Sequence, residues 1–195
     1  MCTSAEPVAA PGRRLPGDLA MWLFILAELS VFALLILAFA VTQQLKPQLF
    51  AASRQWLDTS TGLAMTLSLL GTGLLAALAL ERVRRARPRS AATLLLAALL
   101  VAGVYLRLKL GEYRHLLELG LDLAHDTFFT LYWVLTGFHF LHVLLGLLML
   151  GWLAHGCLRG RYGAGRQAGF ESAVLYWHMV DLVWVLLFPL VYVLD

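Results

Sequence analysis

Glu28, His139, His142, His178 and Asp181 stand deep inside long apolar runs of this 195-residue sequence. Ionisable side chains in hydrocarbon are costly, so they pair with one another or mark ion and proton pathways. His139 and His142 are three residues apart, as are His178 and Asp181. On an α-helix that spacing puts each pair on one face. Tyr132, Thr136 and Gly146 extend the first face, and Glu171 and Tyr192 the second. A carboxylate beside an imidazole exchanges protons, or ties two helices by a hydrogen bond with no proton moving. Both readings apply to Glu28. Two histidines on one helix face cannot take opposite sides of one haem iron. A cross-helix pair such as His142 with His178 keeps that chemistry open. A metal wants three or four ligands with supporting hydrogen bonds, and no recognised ligand motif is present. We assign no catalytic, cofactor-binding or metal residue, and treat the five as buried polar, proton-linked candidates.

The elements that hold these residues must be membrane helices. Of the chain, 61% is hydrophobic and only 14% charged, against about 25% charged in soluble domains. Mean hydropathy is +0.77. Such a chain cannot cover a core in water, which excludes an ordinary cytosolic enzyme, a nucleic-acid reader and a disordered protein. Five segments approach the roughly 20 residues that cross a bilayer. They run about 18–41, 60–80, 91–110, 126–153 and 172–194, behind a polar tail at 1–17. Arg107 and Lys109 fall in the last turn of the third and are expected to snorkel to the interface. The runs are too long and too uniformly apolar for barrel strands. The fold expected is an all-α bundle of five transmembrane helices over 18–195. The first run is too long for a cleaved signal and is read as a retained span.

Basic residues set the orientation. Arg13, Arg14, the arginines at 82, 84, 85, 87 and 89, and Arg159, Arg161 and Arg166 fall on one side; Lys46, Arg54, Arg107, Lys109 and Arg114 fall on the other. That places the N-terminus in the cytoplasm and the C-terminus in the periplasm, with the acidic loop 111–125 outside. The 82–89 arginines are read as a cytoplasmic loop rather than a nucleic-acid patch. Cys2 and Cys157 form no CxxC pair and no disulfide framework is expected. Glycines 62, 71, 73, 146 and 151 are expected at close helix contacts. Pro189 removes a backbone bond to Val185 and should distort the last helix. Trp56 and Trp152 fit interfacial belts, while Trp177 and Trp184 fit packing or lipid contact. Counting from the helix ends at 1.5 Å per residue puts Glu28, His142 and Asp181 each roughly 14–16 Å deep. We expect these three to meet in one cluster.

The fourth span reads Phe-Phe-Thr-Leu-Tyr-Trp-Val-Leu-Thr-Gly-Phe-His-Phe-Leu-His-Val over 128–143, and the fifth reads Tyr-Trp-His-Met-Val-Asp-Leu-Val-Trp over 176–184. These resemble subunit III of the haem–copper respiratory oxidases. Thr136, Gly137, His139, His142 and Val143 match its Thr-Gly-x-His-x-x-His-Val pattern. The second stretch is similar to its Trp-His-Phe-Val-Asp-Val-Val-Trp motif. Glu28 sits where the family keeps an intramembrane glutamate, and Glu112-Tyr113 resembles its acidic–aromatic pair. The chain lacks the first two helices of the seven-helix members and looks like the five-helix bacterial form. Within that form, Pro16-Gly17-Asp18-Leu19-Ala20-Met21-Trp22 resembles the accessory protein of bacterial nitric oxide reductases. The resemblance implies a non-catalytic, multi-pass subunit of the bacterial inner membrane with no haem, copper or other cofactor of its own. It would bind phospholipid and membrane lipids in a helix cleft and support proton uptake by an oxidoreductase complex. The implied partner is the haem-containing catalytic subunit of a haem–copper oxidase or nitric oxide reductase, and no nucleic acid is implied. Two other readings stay open: a small cytochrome b-like electron carrier, and a proton-linked transporter using Glu28 and Asp181.

Overall fold

The computed structural model describes residues 19–162 and 168–194. The 1–17 tail, Cys2, Arg13, Arg14, Asp18 and Arg166 lie outside the described residues, as does the Pro16–Asp18 part of the resemblance. The described chain is helical: α1 (Leu19–Leu45), α2 (Pro47–Arg54), α3 (Thr59–Arg84), α4 (Pro88–Glu118), α5 (Thr127–Leu158) and α6 (Ala168–Phe188). A π-helical turn, Pro189–Val193, continues α6. Five helices are long and apolar enough to cross a membrane: Leu19–Leu45, Thr59–Arg84, Pro88–Glu118, Thr127–Leu158 and Gly169–Val193.

Local chemistry sets the helix ends. The Asp58 carboxylate accepts from the amides of Ser60 (3.1 Å) and Thr61 (3.0 Å) and so caps α3. Asp126 accepts from Phe129 at 2.8 Å and caps α5. Capping satisfies amides that have no partner within the helix. Asp58 lies outside the spans, and the Ser60 and Thr61 hydroxyls hold its carboxyl down at about 2. Pro88 opens α4, where its missing N–H costs nothing. At the other end, Gly120 takes φ 73° and the Leu121 amide turns back to Leu116 at 2.9 Å, closing α4 in a Schellman turn.

Small residues let the longest helices approach. Ala76, Ala79, Ala91, Ala92, Ala98 and Ala102 are fully buried, and α3 against α4 is the most extensive contact in the bundle. This is packing without a hydrophobic driving force, in which short side chains bring backbones close. Gly62, Gly73 and Gly146 serve similarly: an added Cβ would strike Phe188, Asp181 and Trp177 respectively. Gly151 has nothing near it and Gly71 only ordinary contact, so these two do not answer the close-packing expectation. The last span is the centre of the bundle, with 61% of its most apolar stretch buried, whereas α1 is peripheral at 17%.

Two differences from the sequence reading matter. The third span does not end near 110: α4 has 31 residues and continues through Glu118, roughly 46 Å long. Residues 111–118 are polar and read as loop, but Arg114 and Glu118 pair at 2.8 Å one turn apart and sustain the helix. The second difference is α2, a short helix between the first two spans. Its Arg54 is buried and donates from Nε to the Val191 carbonyl at 3.1 Å. Gln43 donates to Leu194 at 2.9 Å and Thr59 to Tyr192 at 3.3 Å. These donors satisfy carbonyls that the end of the last helix leaves open. Pro189 begins the π-helical turn, so the distortion expected there takes that form.

Candidate functional site

The five candidates separate into three places. His139 is fully buried. Its Nε2–H donates to the Val180 carbonyl at 3.1 Å, which leaves Nδ1 to accept from the Tyr105 hydroxyl at 3.3 Å. It therefore joins α5 to α4 and α6, with the Trp184 ring 5.0 Å away between centroids.

His142 turns to α1. Its Nδ1–H donates to its own helix at Phe138 O (2.8 Å), and Nε2 meets Glu28 Oε2 at 3.0 Å. One proton serves that contact. It sits on Glu28 as a carboxylic acid or on His142 as an imidazolium, and the pair has no net charge either way. That neutrality makes the pair tolerable in hydrocarbon. Phe32 packs edge-on to the ring at 5.1 Å.

Asp181 does not join that pair, which corrects the expected cluster of Glu28, His142 and Asp181. Its Oδ2 lies 3.2 Å from His178 Nδ1 on its own helix, and it faces α3, where Gly73 leaves room for it. Equal depth put the three in one layer. It did not fix the face, and α6 presents Asp181 to α3 while α1 presents Glu28 to α5.

The most connected polar site is one that sequence reading missed. Lys109 does not snorkel to the interface: it is fully buried. Its ammonium donates to Glu112 Oε1 at 2.7 Å, Tyr132 Oη at 3.0 Å and Tyr192 Oη at 3.1 Å. The tyrosines pass hydrogen bonds on to the same carboxylate, Tyr192 at 2.8 Å and Tyr132 in a very short contact. The faces of Tyr113 and Tyr132 lie 4.7 and 4.9 Å from the ammonium and Trp184 5.4 Å, within cation–π range. Snorkelling avoids an unsatisfied charge, and here three oxygens and a ring of aromatics satisfy it in place. The readable signal was Lys-x-x-Glu at 109–112, one helical turn, taken with tyrosines on two other spans. Glu112, expected in an outside loop, belongs to this knot.

A cavity of about 930 Å³ opens beside the knot, lined by Trp56, Asp58, Arg107, Glu112, Arg114 and His115 among others. Trp177 and Trp184 are buried packing residues, while Trp56 and Trp152 are exposed. Trp184 Nε1–H donates to Thr66 at 3.0 Å. Among the described residues no three His, Cys, Asp or Glu side chains converge on a metal-sized site.

The fourth- and fifth-span motifs hold several of the residues that tie helices together, and comparison with known proteins gives the family of the whole chain. The family model for cytochrome c oxidase subunit III matches residues 16–195. Cytochrome c oxidase subunit 3 of Thermostichus vulcanus is 41% identical over 85 residues, which is 43% of this chain and 42% of that protein. The haem–copper oxidase subunit I+III of Aeropyrum pernix is 33% identical over 89% of this chain and 22% of its own length. The probable quinol oxidase subunit 3 of Staphylococcus saprophyticus is 24% identical over 91% of this chain and 89% of its own. The chain thus spans half or less of several of the relatives it matches and nearly all of others. A bundle of five apolar helices, joined through the motif histidines and matched over residues 16–195, belongs to the cytochrome c oxidase subunit III family.

Proposed function

We propose that this protein is a non-catalytic accessory subunit of a respiratory haem–copper superfamily complex, packed in the membrane against the haem-containing catalytic subunit. The observation that carries the reading is the family match across 16–195, which takes in every described helix. Residue chemistry supports it. The motif residues His139 and Trp184 bond to neighbouring helices, and Thr136 accepts from Tyr113 of α4 while its own hydroxyl donates to Tyr132 O in α5, as a scaffold requires. Both ring nitrogens of His139 and of His142 have protein partners, which disfavours the cytochrome b-like reading. Glu28 with His142 is the proton-linked element, able to hold one proton without net charge.

Within the family we assign the chain to the nitric oxide reductase type, on the resemblance of residues 16–22, with a terminal oxidase as the other member of the class. The basic residues favour a cytoplasmic N-terminus and a periplasmic C-terminus in a bacterial inner membrane. A phospholipid is the bound group we propose, its anionic headgroup taken by Arg107, Arg114 and His115 in the cavity beneath Trp56. Purification of the tagged chain from its native membranes in mild detergent, with mass spectrometry of what comes with it, tests the assignment. A haem-bearing nitric oxide reductase subunit is expected. An oxidase subunit in its place would move the chain within the superfamily. Recovery of the chain alone, with its lipids retained, would contradict the accessory role.

A further inference from the structure

Glu112 is the point where the Lys109 knot meets the cavity. Its side chain is only 8% exposed, and of the knot residues it alone lines the cavity. Its two oxygens are unequally used. Oε1 takes the Lys109 ammonium at 2.7 Å, the Tyr192 hydroxyl at 2.8 Å and Tyr132 in the very short contact. Oε2 has only the longer arm of the Tyr192 bond, at 3.0 Å. One hydroxyl proton serves both arms, so Oε2 keeps a lone pair for another donor.

The rest of the lining complements that oxygen. The Arg107 side chain makes no hydrogen bond or ion pair among the described residues. From Pro88, where α4 begins, the helix rises roughly 29 Å to Arg107, one hydrocarbon thickness, which puts the cavity at headgroup level. Trp56, exposed in the same lining, belongs at that level too. Gly111 stands one turn from both Arg107 and His115 on one face of α4, and a Cβ on it would meet nothing within 4 Å. A glycine inside a helix weakens it, and no close contact calls for this one; it leaves the cavity floor bare between two basic side chains. The cavity thus holds an unpaired cation and a nearly buried carboxylate oxygen with acceptor capacity to spare.

We propose that the cavity selects a phospholipid whose headgroup ends in a primary ammonium, its phosphate on Arg107 and its ammonium donating to Glu112 Oε2. The inference rests on the phospholipid reading above and names the headgroup class. A hydrogen bond between an ammonium and a carboxylate is stronger than one from a neutral donor, so an ethanolamine headgroup outranks a glycerol one, whose hydroxyls carry no charge. A choline headgroup has the charge but no N–H and leaves Oε2 unanswered. The Asp58 carboxylate, also in the lining, adds attraction for the ammonium. Leu108 and Leu110 place apolar surface beside these charges, which suits a tailed lipid over free phosphoethanolamine.

The test uses the full chain in mild detergent, titrated with phosphatidylethanolamine, phosphatidylcholine and phosphatidylglycerol of identical acyl chains and read by native mass spectrometry. Phosphatidylethanolamine should bind roughly five- to tenfold more tightly than either of the others. Gly111→Leu adds its side chain in open space, so it should fold normally and abolish the preference by filling the cavity. Arg107→Gln should weaken all three lipids by a similar factor and leave their order unchanged; a loss confined to one lipid overturns the phosphate contact. The headgroup assignment is wrong if phosphatidylcholine or phosphatidylglycerol equals phosphatidylethanolamine, or if the preference survives Gly111→Leu. Soluble phosphoethanolamine should not compete at the concentrations where the lipid binds, and equal competition by it overturns the lipid as the source. If none of the three lipids binds the unsubstituted chain better than Gly111→Leu, the phospholipid reading itself fails, a result distinct from the wrong order among lipids that do bind.

Discussion

The Lys109 knot and the two carboxylate–histidine pairs solve the same problem differently. Lys109 has three oxygen partners and aromatic faces around it, drawn from α4, α5 and the final turn, and is fully buried. Glu28–His142 and His178–Asp181 each rest on one side-chain contact, of 3.0 and 3.2 Å, and keep some exposure to the membrane. A buried charge with many partners is locked, because removing any one leaves the others desolvated and unpaired. A pair that shares a proton can lose its charge without losing its shape. The knot is thereby tied into the fold by many partners, whereas each pair hangs on a single contact.

Lys109→Met should give the largest effect. It leaves the Glu112 carboxylate without its counter-charge, held by the two tyrosine hydroxyls alone, and breaking a buried pair costs about 3–5 kcal/mol. Thermal unfolding in detergent should show it, with part of the loss recovered when Glu112→Gln is added, since the stranded carboxylate is the main cost. Asp181→Ala should come next, at about 1–3 kcal/mol for the His178 imidazole left without its acceptor. If it costs as much as Lys109→Met, the division between knot and pairs breaks down.

Glu28→Gln should be smaller again, under about 1 kcal/mol, because the amide keeps the shape and can still bond to His142. Its sharper readout is turnover of the assembled complex: a fall with assembly intact marks a proton-linked group, and unchanged turnover assigns the pair to structure. The smallest effect is expected outside both regions. Asp58→Ala removes the α3 cap at a cost of about 1 kcal/mol. Because the Asp58 carboxyl is held from 3.8 down to about 2, its contribution is complete above pH 4. It should fade as pH falls from 4 towards 2, where the carboxylate protonates. Unfolding curves of the two proteins should converge across that window.

What the sequence made legible follows the physics of each feature. Five long apolar runs read as spans because hydrocarbon demands length and apolarity over a whole segment. The motifs on the fourth and fifth spans read as an interhelical polar face because three-residue spacing fixes neighbours on one helix. Spacing says nothing of which helix lies opposite. His139 and His142, three apart, divide between α4 and α6 on one side and α1 on the other, and Asp181 turns to α3 and away from Glu28. Lys109 was misread for the same reason: two of its three acceptors come from spans 23 and 83 residues away. The short α2 was hidden because its eight residues carry little net hydrophobicity, and its role is to bring Arg54 to the carbonyls of the last turn.

We propose that the chain serves a haem-bearing partner and carries no haem itself. An absorption spectrum decides this, taken on the tagged protein purified from native membranes in mild detergent and again after its partners are separated from it. A Soret band is expected in the intact preparation and should leave with the partner subunit, with none on the isolated 21.6 kDa chain. A Soret band that stays with the isolated chain would contradict it.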